Sequence, residues 1–362
     1  MLDARPAPLP EVDIAPDDPA FMLYSSGTTG QAKGVLHRHD NLASALVALR
    51  DTWQFTPDDR LLNVLPFYHI HGLSFASHMM LLSGCEMVVE PSFHPRRTLE
   101  ALAECTVLFA IPTFYYSWIG QDFFREMAPA LSGVRLFTCG SAPIRPEVLP
   151  ELEEILGKPI TNRYGMTESH VNTSLPVDVS SQEGSCGTVL PGLELRIVDD
   201  AGGDLPVGEI GEVWIKGPNL FREYWRKPEA TAEAFEDGWF ITGDLGRLDE
   251  DGYMFHAGRS QELVITSGHN VYPPMVEKVI NAMDGVHESA VIGLPHKRRG
   301  EIVAVAIVAE EGCGLSEADV RSFCAERLVD YCVPAQVFFV DELPRNTMSK
   351  VLKRKLVEDL GG

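Results

Sequence analysis

The sequence predicts an α/β protein: a large domain with a mainly parallel βα sheet plus a small antiparallel barrel, then a C-terminal α+β domain. Three changes of pattern predict this. From Phe21 to about Tyr164, apolar runs such as Arg60 to Leu65 and Val107 to Ile111 alternate with helical periods such as Asn41 to Trp53. Uninterrupted apolar strands separated by helices are the signature of βα units, whose sheet is covered on both faces. Between about Gly184 and Phe255 the pattern shifts to short strands, Leu193 to Val198 and Glu209 to Ile215, separated by Gly and Asp turns. That spacing predicts antiparallel pairing. From about Glu262 a helix (Pro274 to Met283), a strand (Ser289 to Gly293), a second strand (Ile302 to Ala309) and a helix (Ser316 to Leu328) form a compact unit.

Residues 1–19, rich in Pro and Asp, read as an extended linker. The large domain is expected over 20–258 and the C-terminal domain over 259–362, with the boundary at Gly258 to Gln261.

Composition narrows the function classes. At 362 residues and 45% apolar content the chain can bury a large core. A net charge of −22 argues against a nucleic-acid partner, which needs clustered Lys and Arg. Seven cysteines include no Cys-x-x-Cys pair, so neither a zinc site nor a disulfide framework is indicated. The start Met1-Leu-Asp-Ala-Arg5 lacks a secretory pattern, and the longest apolar stretch, Val107 to Ile119, contains Pro112 and is too short to span a bilayer. A cytoplasmic location is the default expectation.

The chemistry is concentrated in short segments. In Tyr24 to Val35, Gly27, Gly30 and Gly34 free the backbone for close approach to an anion. Ser25, Ser26, Thr28 and Thr29 add hydroxyls, and Lys33 adds charge. The spacing is not that of the Walker loop. The i, i+2 pairs His37/His39 and His69/His71 would share a strand face, but no further ligands stand at zinc spacing.

Four distant segments follow in order: Arg163-Tyr-Gly-Met-Thr-Glu168, Thr242-Gly-Asp244, Gly258-Arg259 with Gly268 to Pro273, and Pro344 to Lys350. With the opening run, this set resembles the adenylate-forming superfamily of acyl-CoA synthetases, luciferases and peptide-synthetase adenylation domains. The resemblance covers the chain from about residue 20 to its end. Those enzymes have a substantial stretch upstream, so the chain is expected to be an N-terminally shortened member.

The resemblance implies ATP, Mg²⁺ and coenzyme A as cofactors, and a small carboxylic acid as substrate. It implies that Ser25, Ser26, Gly27, Thr28, Thr29, Gly30 and Lys33 face the phosphates, and that Gly140, Ser141, Ala142, Arg163, Tyr164, Gly165 and Met166 border the nucleotide. Asp244 would hold the ribose, and Arg259 would be a second contact to the ribose or a phosphate. Thr167 would contact the α-phosphate, and Glu168, with Thr28, would ligate Mg²⁺. Lys350 would bridge carboxylate and α-phosphate during adenylation, then leave as the C-terminal domain rotates. Gly268 and His269 would then line the pantetheine tunnel, and His69 would gate the acyl pocket. The basic cluster Lys297 to Arg299 stands out in so acidic a chain: it reads as a contact for the CoA phosphates or, the more frequent meaning of such a run, as a solvated charged turn.

The longer matches, Leu65 to Gly72, Arg163 to Ser174 and Leu343 to Met348, look most like malonyl-CoA synthetases. A dicarboxylate requires a second cation in the acyl pocket. Malonate-using relatives commonly carry one directly after the Pro-Thr-x-Tyr-x stretch, where this chain has Ser117, leaving Arg145, His71 or His170 to compensate. Ala32, Gln261 and Ser349 are further departures from the family pattern. The implied function is an ATP-dependent carboxylate–CoA ligase acting on malonate or a related short acid. A monocarboxylate ligase and an incompetent nucleotide-binding fragment are the rivals.

Overall fold

A computed structural model describes residues 12–25, 32–182, 184–310, 312–346 and 350–361. Its centre is a seven-stranded sheet in the order Glu86–Val89, Arg60–Asn63, Val107–Ala110, Leu136–Cys139, Ile160–Met166, His170–Ser174, Thr188–Val189. The first five strands pair in parallel and the last two antiparallel. Every residue of Val107–Ala110 and Leu136–Cys139 is buried, which explains why these strands show no alternation in sequence. Helices His39–Thr52, Pro95–Leu102, Pro112–Trp118 and Leu149–Leu156 accompany the parallel strands. The core they share with the sheet includes Trp53, Phe109, Trp118 and Phe137, and burying each such ring stabilises by about 2–3 kcal/mol.

The helix His39–Thr52 begins where it does because its first donors are met. Arg38 N donates to Asn41 Oδ1 at 3.2 Å, and Asn41 N to Asp40 Oδ1 at 2.7 Å. This corrects the strand reading of the paired histidines: His37 ends up in the strand Lys33–Arg38, whereas His39 opens the helix. His71 likewise opens a π-helical segment, His71–His78, so neither pair shares a strand face. Unusual helical turns of this kind recur at functional sites.

Two smaller sheets follow. Pro19–Ser25, Lys33–Arg38 and Glu223–Tyr224 form one; Glu194–Val198, Gly211–Lys216, Trp239–Leu248, Phe235–Glu236 and Met254–Arg259 form an antiparallel second. Residues 12–18 carry neither helix nor strand, and Asp18 O accepts the N–H of His39 at 3.2 Å.

The C-terminal unit is built on the long hairpin Val286–His296 and Gly300–Ala309, extended by Val264–Thr266, His269–Val271 and the parallel strand Gln336–Phe339. The hairpin strands are longer than their apolar cores suggest, because backbone pairing continues past the buried residues to His296 and Gly300. Pro273 and Pro274 open the helix Pro273–Asn281, where the missing N–H groups cost nothing. Ser316 caps Glu317–Ala325, its hydroxyl accepting from Asp319 N at 3.3 Å. Among the described residues no helix is long and apolar enough to cross a membrane.

Candidate active site

The two ends of the Gly-rich run lie on paired strands, Ser25 opposite Lys33 and Tyr24 opposite Gly34. Gly34 is tight: a Cβ there would lie 2.8 Å from Met22 Sδ. Ser26, Gly27, Thr28, Thr29 and Gly30 lie outside the described residues. Lys33 leaves the strand with its ammonium 4.5 Å from the ring centroid of Tyr224. The Tyr224 hydroxyl donates to Glu168 Oε1 at 3.1 Å.

Glu168 sits in the turn joining Ile160–Met166 to His170–Ser174, and it is 7% exposed. Burial raises its carboxyl pKa, opposed by the Tyr224 hydroxyl and Arg259. One hard carboxylate oxygen is engaged by tyrosine and, among the described residues, the carboxylate makes no salt bridge, so the group fits Mg²⁺ completed by phosphates and water. Among the described residues no group of three or more His, Cys, Asp or Glu side chains is arranged as an all-protein metal cage.

Asp244 is the electrostatic anchor. It is 2% exposed, accepts the Tyr164 hydroxyl on Oδ2 at 2.7 Å, and faces Arg259 Nε at 2.9 Å and His256 Nε2 at 3.7 Å through Oδ1. Burial by itself raises its pKa, but Arg259, His256 and Tyr164 outweigh it and bring the carboxyl down to about 2. The tight turn is held by Thr242, whose hydroxyl accepts Asp244 N at 3.0 Å. Gly243 takes a φ of 70° there, a region that favours glycine.

Lys350 reaches the same place from the C-terminal unit. Burial lowers the pKa of its ammonium and Arg259 lowers it further, while Glu262 and Asp244 pull the other way. Its position is fixed by Asn346, whose Oδ1 accepts Lys350 N at 3.0 Å and whose N donates to Lys350 O at 3.0 Å.

Beside this lies a second charged group. Arg163 is 5% exposed, and its guanidinium stands 4.8 Å from the Phe75 ring centroid. Its Nε and Nη2 have no hydrogen-bond partner among the described residues. Desolvation pushes its pKa down to about 10. Gly140 makes room for it, since a Cβ there would lie 2.5 Å from Arg163 Cζ. Burial, helped by Arg163, holds His69 down to about 4 and His71 well below its ordinary value, so both imidazoles are neutral near pH 7. His71 Nδ1 is 3.2 Å from Ser141 Oγ, and His69 Nδ1 accepts His71 N at 3.2 Å. The result is a buried cation with no described counter-charge.

The remaining candidates for that role fall elsewhere. Arg145 stacks over Tyr116 at 4.5 Å and directs Nη1 to His287 O at 3.4 Å. Both ring nitrogens of His170 are buried and its pKa is depressed far below the ordinary value, so it supplies no charge. The Ser117 hydroxyl turns back to Thr113 O at 2.7 Å. Gly268 and His269 are exposed on the C-terminal sheet, where His269 stacks on Tyr331 at 4.4 Å. The turn Lys297 to Arg299 is their neighbour, with Ser267 N donating to Arg299 O at 2.8 Å. Sequence reasoning missed Tyr224, His256 and Asn219, which contact the residues above and stand in no segment whose spacing marks them, and it weighed His37 only as half of a histidine pair.

The AMP-binding enzyme pattern matches residues 2–225 and the AMP-binding enzyme C-terminal domain matches 275–350. The chain belongs to the AMP-binding enzyme family. It is 34% identical to a probable CoA ligase, CCL8, of Humulus lupulus, covering 97% of this chain and 63% of that protein. It is also 34% identical to the mitochondrial malonate–CoA ligase ACSF3 of Bos taurus, covering 95% and 65%. ATP-bound MatB from Rhodopseudomonas palustris superposes with a TM-score of 0.93 at 45% identity, over 96% of this chain and 69% of that one; its apo form gives 0.79. The chain thus spans about two thirds of the length of these relatives.

Proposed function

We propose that this protein is an ATP-dependent carboxylate–CoA ligase that forms an acyl-adenylate, then a thioester, with malonate as the acid. The observation that carries the choice of acid is Arg163, a buried guanidinium without a described counter-charge. An unpaired buried charge is costly, and a ligand carboxylate that supplies the missing partner recovers that cost on binding. A monocarboxylate has no group left for it once its single carboxylate is engaged in adenylation. The 45% identity to MatB supports the same reading.

Asp244 is held ionised at any working pH, and a carboxylate has about four acceptor sites. Tyr164 takes one on Oδ2, and Oδ1 faces Arg259 as an ion pair without a described hydrogen-bond partner, which leaves acceptor capacity for vicinal ribose hydroxyls. Lys350, near Asp244 and Arg259, is placed for the moment when the malonate oxygen attacks the α-phosphorus and pyrophosphate departs, when negative charge accumulates between two anions. Glu168 would hold Mg²⁺, which would supply neutralisation of the leaving group. The better match to ATP-bound than to apo MatB supports an adenylation-type placement of the C-terminal unit. Rotation of residues 259–362 would then exchange Lys350 for Gly268 and His269, bringing the basic turn Lys297 to Arg299 toward the CoA phosphates.

The test is acid-dependent pyrophosphate release across malonate, methylmalonate, propionate and acetate, with CoA present and absent. Malonate should exceed propionate by roughly 10²-fold or more in kcat/KM, since a site built to pair a polar group rejects the analogue lacking it. Equal turnover of propionate would remove the malonate assignment.

A further inference from the structure

The turn carrying Thr167 and Glu168 is held from outside its own hairpin. Three successive carbonyls each receive a donor from a distant segment: His37 Nε2 to Thr167 O at 2.8 Å, Phe221 N to Glu168 O at 2.8 Å, and Asn219 Nδ2 to Ser169 O. Asn41, on the helix following His37, fixes the second segment through Pro218 O at 2.8 Å. Of these donors only His37 lies on the strand that also bears Lys33. The two residues are four apart on that strand and therefore share a face.

The imidazole has little freedom. It is fully buried, stacks on Phe21 with centroids 4.9 Å apart and 15° between planes, and meets the edge of His170 at 4.5 Å. A carbonyl oxygen only accepts, so the proton must sit on Nε2, leaving Nδ1 bare. Burial lowers the ring's pKa to about 4, which keeps it in this neutral form. His170, at the far end of the turn, adopts a φ of 61°, so the backbone beyond Glu168 is itself in a conformation that needs outside support.

We infer that His37 is a positioning residue that couples the phosphate-loop strand to the Thr167–Glu168 turn, setting the Glu168 carboxylate for Mg²⁺·ATP. The inference rests on the reading of that turn as a nucleotide and metal site, but not on the identity of the acid. Its test is therefore a binding measurement. ATP affinity of the full chain is measured by calorimetry with Mg²⁺ and with EDTA, for the wild type, His37→Met and His37→Gln. Removing one such hydrogen bond should weaken Mg²⁺·ATP binding by about tenfold, with metal-free ATP binding unchanged within about twofold. His37→Gln, which can donate at a similar reach, should recover most of the loss. Equal weakening with and without Mg²⁺, or no rescue by Gln, makes His37 merely structural and overturns the inference. If no variant folds, ¹⁵N spectra of wild-type His37 decide: an Nε2–H tautomer that shifts on adding Mg²⁺·ATP supports the coupling, and an Nδ1–H tautomer or an unresponsive one refutes it. A protein that binds Mg²⁺·ATP as expected yet turns over no acid would count against the proposed activity alone.

Discussion

Replacing Arg163 by Met should make the protein more stable and nearly useless toward malonate. The folded-state pKa of about 10, against an ordinary 12.5, corresponds to about 3 kcal/mol of desolvation cost at 1.36 kcal/mol per unit. A base whose pKa is lowered by folding destabilises wherever it is charged in both states. The cost is therefore fully present below pH 10 and is relieved only as pH rises from about 10 toward 12.5. Met removes it and keeps most of the volume, while forfeiting the stacking on Phe75, about 1–2 kcal/mol. The net gain is about 1–2 kcal/mol, a rise of a few degrees in Tm for a chain of this size. Catalytically the change removes charge-assisted hydrogen bonds of about 1.5–3 kcal/mol and leaves a carboxylate unpaired, so kcat/KM for malonate should fall by about 10² to 10³. Propionate should gain relative to malonate. Thermal unfolding beside steady-state pyrophosphate release reads both quantities. A less stable variant with an unchanged malonate-to-propionate ratio would show the guanidinium to be a satisfied structural cation and not the malonate partner.

Two further expectations follow from the same geometry. Lys350→Ala should abolish adenylate formation yet spare thioester formation from synthetic malonyl-adenylate, measured by the two half-reactions separately; equal loss of both would rule out a role confined to one orientation. Asp244→Asn should remove stability present above the ordinary carboxylate pKa near 4 and lost as pH falls through about 2, about 2 kcal/mol at neutral pH, and should weaken ATP binding; acid titrations of unfolding free energy that coincide between pH 4 and 2 for both proteins would contradict the burial and pairing described for Asp244.

Much of the frame was legible because it depends on local pattern. Uninterrupted runs such as Val107 to Ala110 reveal a strand covered on both faces, and Ser316 followed by Asp319 announces a helix start. The site was legible only as far as its residues sit in short fixed-spacing segments. Arg163 stands in such a segment, so the resemblance assigned it to the nucleotide border, whereas its lack of a partner is a property of everything around it. Tyr224, His256 and His37 reach the site through strand pairing across large sequence separations, as between Lys33–Arg38 and Glu223–Tyr224, and no window contains both members. The π-helical His71–His78 escaped because its residues would suit an ordinary helix equally well; Gly72 within it lies so close to the backbone of Leu65 and Pro66 that a side chain there would clash.

The strand Met254–Arg259 remains in register with Trp239–Leu248, Asp244 opposite Arg259, and Ser260 Oγ then donates to Gly243 O at 3.1 Å. The chain is thus tied to the Asp244-bearing sheet as far as Ser260, so the proposed swing of the C-terminal unit would fall to the few dihedrals after it. That makes the movement a lever with a short fulcrum. A rotation confined to two or three residues would be multiplied along the C-terminal sheet into a large displacement at its far end, while Asp244 and its partners stayed still. Under the proposed function, activation and transfer would then alternate over a stationary adenylate, with the intermediate kept from water between them.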